Sequence, residues 1–381
     1  MIEVVRVTDR IADALAAFFR KVWTEGATAD DVRLGLADSA RRNPVAPGAD
    51  VPAVVYMRDG EIIGYLGTIP VKYWNGGDEI AAHWLKGLMV LPEYRSGPVG
   101  FSLLREMLRH VQLSGSMAVA APATRLITAV GFTDCGVVPN FVALVRPGRV
   151  ARSIDIAAIG LGLPPWLDRI ARMTQRVGLA WLGGVGLGAG IGAWRAVRSR
   201  VRGFDVDVSG SLPDASELDA LWVRARATIR AGAVRDGRFL TWRYDAARGR
   251  MYEAVAVRRR TPGTPLAAVA VVRRPSEKGD PRLRGIKVAT LSDVLFSVDD
   301  PAAGVAAVRG AERVARRMGA DAIVCSVAHP AITTLLRRRA YLRLPGNLHL
   351  LLRDPRSAAA LPTALDEWWL TRGDASSDEV F

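Results

Sequence analysis

Cysteine is almost absent: Cys135 and Cys325 are the only two in 381 residues, and neither has a partner at metal-ligand or redox-motif spacing. That excludes a disulfide scaffold and a zinc ribbon, and both thiols read as small buried hydrophobes in a reduced compartment. Histidine is as scarce, with four residues, and no pattern of His, Cys and carboxylates favours a metal site. The start, MIEVVRV, lacks a basic region before an apolar run, so no signal peptide is expected and the expected location is cytoplasmic. Lysine is scarce too. Of 52 basic residues five are lysines (Lys21, Lys72, Lys86, Lys278, Lys287) and 47 are arginines.

The formal charge is nevertheless +14. Heavy use of alanine and arginine follows from GC-rich coding alone, so the charge does not choose between a phosphate-bearing cofactor, an anionic membrane surface and a nucleic acid. The length suits two domains, and half of the residues are apolar, enough for each half to bury a core.

One order of elements occurs twice, over 1–147 and 205–355. Each half reads as a helix pair, an antiparallel hairpin, a long strand, an amphipathic helix, a strand, a helix and a closing strand. In the first half the hairpin turns at Asp59-Gly60, the long strand covers 79–90, and 141–145 is expected to close the unit. In the second half the long strand covers 286–297, and the last strand is 348–352. Between the halves, 177–194 runs eighteen residues without a charge, seven of them glycine. As a helix it would be about 27 Å long, just short of a bilayer core. Three readings stand: a single span, a membrane-surface segment at the inner membrane face, and a buried linker helix, which leads.

The stretch from Gly87 to Leu104 carries the chemistry. A strand ends at Val90, Leu91-Pro92-Glu93-Tyr94 turns the chain, and a helix begins near Pro98-Val99. Amides at a helix N-terminus and the positive end of its dipole converge on one place, for which a pyrophosphate is the natural occupant. Arg95 adds a full charge there, and Gly97 and Gly100 let phosphate oxygens approach the backbone.

These residues resemble the signature of the GNAT superfamily of acyltransferases, in which Val-x-Pro-x-Tyr-Arg continues as Arg/Gln-x-x-Gly-x-Gly/Ala. Arg95 and Gly100 match its first and last positions, and Pro98 stands where the internal glycine would be, removing one donor. The resemblance implies acetyl-CoA or another acyl-CoA as co-substrate, held by Leu88, Met89, Val90, Arg95, Ser96, Gly97, Val99, Gly100 and Phe101. It implies a thioester carbonyl polarised by a strand amide near Leu88–Val90, where adjacent strands splay. The segment from Pro122 to Phe132 resembles the family's later helix and Gly-Phe, with Ile127 at the place of a tyrosine acid. In the second half Leu336 takes that place, Ala340-Tyr341 stands for Gly-Phe, and the phosphate loop carries Asp299 and Asp300. The second half therefore reads as a repeat that no longer binds the cofactor.

Two further pieces, Arg235 to Tyr244 and Trp368 to Phe381, resemble tandem GNAT proteins of bacterial polysaccharide and cell-envelope clusters, distantly Fem-like. The fold class implied is α/β: two tandem GNAT-like domains, each a mostly antiparallel mixed sheet flanked by helices. The expected division is an acyl-CoA-binding domain at 1–150, a Gly-rich, Arg-flanked linker at 151–204, and a degenerate domain with a C-terminal tail at 205–381. The implied activity is direct attack of an amine on the thioester, with a small-molecule amine or amino sugar as acceptor in the cleft between halves. The alternatives are a non-catalytic or membrane-surface binding protein and Fem-like aminoacyl transfer. Nucleic acid is not expected as a partner.

His83 in the long strand is the candidate base, since an imidazole titrates near neutrality, and Glu79 is the alternative. Each has a plain structural reading beside the catalytic one. Asp293, mid-strand, reads either as a substrate contact or as the partner of a nearby arginine. Trp242 and Arg243 read either as a stacking and hydrogen-bonding grip on substrate or as helix packing.

Overall fold

The computed structural model describes residues 2–6, 8–22, 27–37, 42–45, 53–118, 120–153, 165–176, 179–199, 201–244, 251–261, 263–277, 285–355 and 360–375. The chain opens with β1 (Ile2–Arg6), α1 (Ala12–Val22), α2 (Ala29–Ala37), β2 (Val54–Arg58), β3 (Glu61–Asn75) and β4 (Asp78–Val90). It continues through α3 (Val99–His110), β5 (Ser114–Ala118), α4 (Ala121–Ala129), β6 (Thr133–Val137) and β7 (Asn140–Leu144). Three helices follow, α5 (Pro147–Ser153), α6 (Pro165–Arg176) and α7 (Ala180–Arg198). Next come β8 (Phe204–Gly210), α8 (Ala215–Arg226), β9 (Ala231–Ala233), α9 (Gly237–Tyr244), β10 (Tyr252–Arg259), β11 (Leu266–Glu277) and β12 (Lys287–Phe296). The last elements are α10 (Pro301–Arg317), β13 (Ala322–Ser326), α11 (Pro330–Arg338), β14 (Leu342–Leu344), β15 (His349–Arg353) and β16 (Trp368–Trp369).

Two compact units share these elements, and they interleave along the chain. The first holds residues 1–137, 231–234 and 347–365; the second holds 138–230, 235–346 and 366–381. The sheet of the first runs β1-β2-β3-β4-β5-β15-β6, with β9 pairing the far end of β3. The sheet of the second runs β14-β7-β13-β12-β11-β10-β8. The strand at 141–145, expected to close the first half, instead pairs antiparallel with β13 of the second sheet. Reciprocally, the last strand of the second half, β15, lies between β5 and β6 of the first. Each repeat lends its closing strand to the other sheet. Hydrophobic alternation specifies that a segment is a strand but not which edge it joins, so the exchange left no local trace in the sequence.

The first core gathers Leu15 and Phe18 of α1, Val54 and Val55 of β2, Ile62, Ile63 and Leu66 of β3, and Leu103, Leu104 and Met107 of α3. The amphipathic spacing on α3 is what delivers that apolar stripe to the sheet. Gly100 sets how closely the helices approach: a Cβ there would meet Leu126 Cδ2 of α4 at 2.8 Å. The second unit repeats the device, since a Cβ on Gly304 of α10 would meet Leu335 Cδ1 of α11 at 2.6 Å.

The equivalence of the halves extends to how α4 and α11 end. After α4, Gly131 takes φ +94° and its amide donates to Thr128 O at 3.0 Å. After α11, Ala340 stands in the same place at φ +56°, with its amide on Arg337 O and that of Tyr341 on Leu336 O, each at 3.0 Å. This is a Schellman cap, whose left-handed residue favours glycine. An alanine there is strained by its Cβ. Ala340→Gly is therefore expected to raise unfolding stability by about 1 kcal/mol, read as a higher urea midpoint at unchanged slope. A lower midpoint would show that the Cβ contributes packing that outweighs the strain.

Cys325 is buried, as its composition context suggested, whereas Cys135 is only half-buried. The leading reading of 177–194 as a buried linker helix is overturned. Residues 177 and 178 lie outside the described residues, and α7 is exposed along most of its length. Among the described residues no helix is long and apolar enough to cross a membrane.

Candidate active site

In the first unit β4 and β5 run parallel and pair at two positions only, His83 with Ser114 and Trp84 with Gly115. Beyond that fork the strands part. No register pair joins β4 to β5 after Trp84 and Gly115, while 116–118 of β5 pair with β15 on the other side. On its opposite side β4 keeps its pairing to β3, with Gly64 facing Val90, Tyr65 facing Met89 and Gly67 facing Lys86. Two residues of β4, Gly87 and Leu88, thus oppose the single Leu66. This is a β-bulge, and Gly87 at φ +68° supplies the left-handed residue it needs.

The ladder tells which amides face the opening. The Leu91 amide donates to Ile63 O at 3.0 Å, toward β3. Strand alternation then directs Met89 toward β3 as well and turns Val90 toward the side that β5 has left. Of Leu88, Met89 and Val90, all half-buried, Val90 therefore presents its N–H to the opening, Leu88 lies in the bulge, and the Met89 amide is engaged. The Val90 carbonyl on the same side accepts from Arg95 Nε at 3.0 Å, so the arginine of the loop is anchored to the strand end and its terminal nitrogens project from an exposed position.

The loop after β4 is a short 3-10 turn over Pro92–Tyr94. The Gly97 amide, expected to serve the cofactor, donates instead to Tyr94 O at 3.1 Å. Pro98 is the N-cap of α3, which has no side-chain cap and no acid in its first turn. The amides of Ser96, Val99, Gly100 and Phe101 have no acceptor among the described residues. An uncapped helix start beside a fixed arginine is an anion-binding geometry.

The second unit offers the internal comparison. There β12 and β13 pair in parallel from Val288 with Ala322 to Thr290 with Val324 and then part in the same way. A bulge on β12 at Ser292 corresponds to the one on β4. Here the opening is filled by the chain itself. Gly373 N donates to Ser292 O at 2.8 Å, Trp369 Nε1 to Val294 O at 3.0 Å, and Arg372 Nη1 to Ser326 Oγ at 3.0 Å. The helix start is occupied too: Asp300 caps α10, accepting from Ala303 N at 3.2 Å, and pairs with Arg259 at 2.6 Å. In the second unit, therefore, both the strand opening and the helix start are engaged by the chain itself.

Several expected site residues fall elsewhere. Glu79 lies near the hairpin end of β4, ion-paired to Lys72 at 3.1 Å. At about 3.3 Å per residue it is roughly 36 Å of strand from Val90, so it is not a base for chemistry at the parting. Asp293 is the partner of an arginine: Arg235 Nε donates to it at 3.0 Å, and Tyr244 Oη at 3.1 Å. Arg235 also binds Asp374 at 2.8 Å, and burial pushes the Asp374 carboxyl up. A carboxylate in this core persists because a fixed guanidinium faces it. Arg243 is buried, with Nε on Gly373 O at 3.2 Å, and Trp242 packs on Phe239. All three are therefore part of the second unit's interior, not a grip on substrate.

His83 sits at the fork itself, across from Ser114. Burial lowers its imidazole to about 4, which makes it neutral at pH 7 and a weak base. Beside it, the Ser114 hydroxyl and the Trp84 indole N–H are buried without a hydrogen-bond partner among the described residues. Sequence reasoning missed Tyr65. Its side chain covers Gly67 and Gly87, since a Cβ on Gly67 would meet the Tyr65 hydroxyl oxygen at 2.4 Å and one on Gly87 would meet the ring at 3.4 Å, and burial raises its phenol to about 12. The Tyr-Leu-Gly spacing in β3 was the available signal.

No family model matches the chain, and no curated protein matches it. Solved structures do. Yeast (Saccharomyces cerevisiae) N-myristoyltransferase with bound myristoyl-CoA superposes with a TM-score of 0.60 at 11% identity, covering 93% of this chain and 82% of that one. A protein of Enterococcus faecalis described as a probable N-acyltransferase gives 0.55 at 10% identity, over 93% and 72%. A GCN5-related N-acetyltransferase from Anabaena variabilis gives 0.53 at 11% identity, over 94% and 74%. The chain has the GNAT fold. Identity this low carries the fold and leaves the chemistry to the site.

The His83 environment makes a direct prediction. Because burial depresses its pKa, the folded state resists protonation, so the imidazole NMR signals of His83 should not titrate between pH 8 and about 5, while an ordinary histidine turns over near 6.5. The sign follows for stability: the unfolded chain takes up this proton first, and stability falls as pH drops from about 6.5 toward 4. A His83 midpoint near 6.5 would place the ring in water.

Proposed function

We propose that the chain is an acyl-CoA-dependent N-acyltransferase, with the acyl-CoA in the first unit and an acetyl group, on a small-molecule amine or amino sugar, as the first transfer to test. The observation that carries this reading is the contrast between the two partings. Where the second unit fills its strand opening with its own tail and caps its helix with Asp300, the first leaves both available. The first-turn amides of α3 and the guanidinium of Arg95 would take the pyrophosphate, and the opening beyond Trp84 and Gly115 would take the extended arm of the cofactor as a stand-in for the missing strand.

In this reading the acceptor nitrogen attacks the thioester carbon, the Val90 amide stabilises the developing oxyanion, and the C–S bond breaks. The departing thiolate needs a proton, and we assign that role to Tyr65, whose hydroxyl burial keeps protonated. His83, neutral and weakly basic, orients the acceptor by accepting an N–H; the amine's proton leaves to solvent, and Tyr65 recovers its own from solvent after the thiol departs. Tyr65→Phe should lower kcat by about a hundredfold with KM for acyl-CoA unchanged; an unchanged kcat would remove Tyr65 from the mechanism. Thiol release from acetyl-CoA and from longer acyl-CoAs, across a panel of amines and amino sugars, is the readout.

The test of the cofactor site transfers the second unit's cap to the first. Pro98→Asp gives α3 the N-cap that Asp300 gives α10, which should add about 0.5–2 kcal/mol of stability. The same carboxylate would occupy the pyrophosphate position, so calorimetric affinity for acyl-CoA should fall at least tenfold. Stability up with binding lost separates a blocked site from a damaged fold. Failure of the well-folded wild-type chain to bind any acyl-CoA, or wild-type affinity in Pro98→Asp, would sink the reading.

A further inference from the structure

The segment between the repeats carries an unusual surface. Ten of the sixteen large apolar side chains exposed among the described residues lie between Trp166 and Val197. Every described tryptophan outside this segment is buried, while Trp166, Trp181 and Trp194 are 58%, 40% and 46% exposed. On α6 the exposed Trp166, Ile170 and Met173 fall at helical spacing on one face. On α7 the side toward α5 is set by Gly184, where a Cβ would meet Pro147 O at 2.6 Å. Leu182, Leu187, Trp194 and Val197 occupy the other side.

The glycines of that helix point the same way. A Cβ added at Gly183, Gly186, Gly190 or Gly192 would meet nothing within 4 Å, so no packing inside the chain calls for them, and each lowers helix propensity relative to alanine. Small residues on an outer face let another body come close to the backbone.

Charge identifies that body. Between 146 and 202 the sequence holds ten arginines and two aspartates, a net +8 of the chain's +14, and α5 and α7 contain no acid. The arginines accompany the tryptophans: Arg198 lies 4.6 Å from the Trp194 ring and Arg152 lies 5.8 Å from that of Trp181. Beside them a cavity of about 430 Å³ is lined by Arg146, Arg149, Arg195 and Arg316 with Trp181 and Ile191. Two acids stand near these guanidiniums, Glu312 at 3.5 Å from Arg195 and Asp321 at 3.9 Å from Arg149 and 4.0 Å from Arg146, against the four arginines of the cavity. A second copy of this face would bring like charge to like charge. An interfacial helix with aromatic and basic anchors suits a layer that is apolar below and anionic above.

We propose that α6 and α7 form a docking surface for an anionic phospholipid bilayer, on which the helices lie in the interface plane without spanning it. The surface is independent of the acyl-transfer reading and would hold even for a chain without activity.

Sedimentation of the full chain with vesicles tests it. Phosphatidylcholine vesicles containing about 30 mol% phosphatidylglycerol should bind the protein, phosphatidylcholine alone should bind it at least tenfold less, and raising the salt to about 0.5 M should weaken the binding. Leu187→Glu with Val197→Glu, both on exposed positions, should abolish binding with the circular dichroism spectrum unchanged. Arg198→Glu alone should weaken it about fivefold or more. The proposal is overturned if phosphatidylglycerol vesicles bind no protein, if both vesicle types bind equally, or if the double variant binds as the wild type does. It is equally overturned if the wild-type chain self-associates in solution and the same glutamates dissolve that association.

Discussion

When two parallel strands of a sheet diverge, each leaves a row of backbone donors and acceptors that must find another partner or water. The parting of β4 from β5 beyond Trp84 and Gly115, and of β12 from β13 beyond Thr290 and Val324, creates that demand twice in one chain. Much else in the molecule answers to it. In the second unit the answer is internal: Gly373 N and the Trp369 indole bond Ser292 O and Val294 O of β12, Leu370 O accepts from Ala328 N, and Trp368, Trp369 and Leu370 are fully enclosed. In the first unit no described residue does this work at the Val90 amide, and the bulge at Gly87 holds the strand end bent away from its neighbour.

The polar interior of the second unit follows from the same event. A tail that turns inside an opening brings its own polar groups with it, and Thr371, Arg372 and Asp374 are all buried. Arg235 connects them, binding Asp374 and Asp293 together and reaching Thr371 at 3.1 Å. Removing the guanidinium would leave two carboxylates facing each other in a low dielectric, a situation that costs about 3–5 kcal/mol in comparable buried pairs. A substrate site built on Asp293 would need that pair broken at each turnover. The network is a lock on the tail.

What the sequence made legible and what it hid divide along range. The strand to Val90, the Pro-Glu-Tyr turn and the amphipathic face of α3 are written in one continuous run, from Asp78 to His110, and they were readable for that reason. So was the acid at the start of α10, because Asp300 sits in the very turn it caps. The exchange of β7 and β15 was not readable, since Phe141 and Cys325 pair across nearly two hundred positions with no local cue. Asp293 could be seen as anomalous in a strand, but its partner at Arg235 lies in another element, so the substrate reading and the ion-pair reading could not be separated. Glu79 and His83 illustrate the same limit on one strand: four residues apart in sequence, one is an ion pair near a hairpin and the other is at the fork.

A duplicated fold in which one copy is plugged argues about the other copy. If the parting were only a packing defect, both halves would be free to fill it, and the second shows how few residues that takes. A glycine amide, an indole N–H and an N-cap carboxylate suffice. The first half has Pro98 where that carboxylate would stand and no chain segment at the corresponding strand edge among the described residues. An uncapped helix and an unpaired edge are each less stable than their filled counterparts. Their joint persistence at one end of one strand, beside an arginine tethered to the Val90 carbonyl, is the pattern that the proposed acyl-CoA, by supplying the missing contacts, would leave.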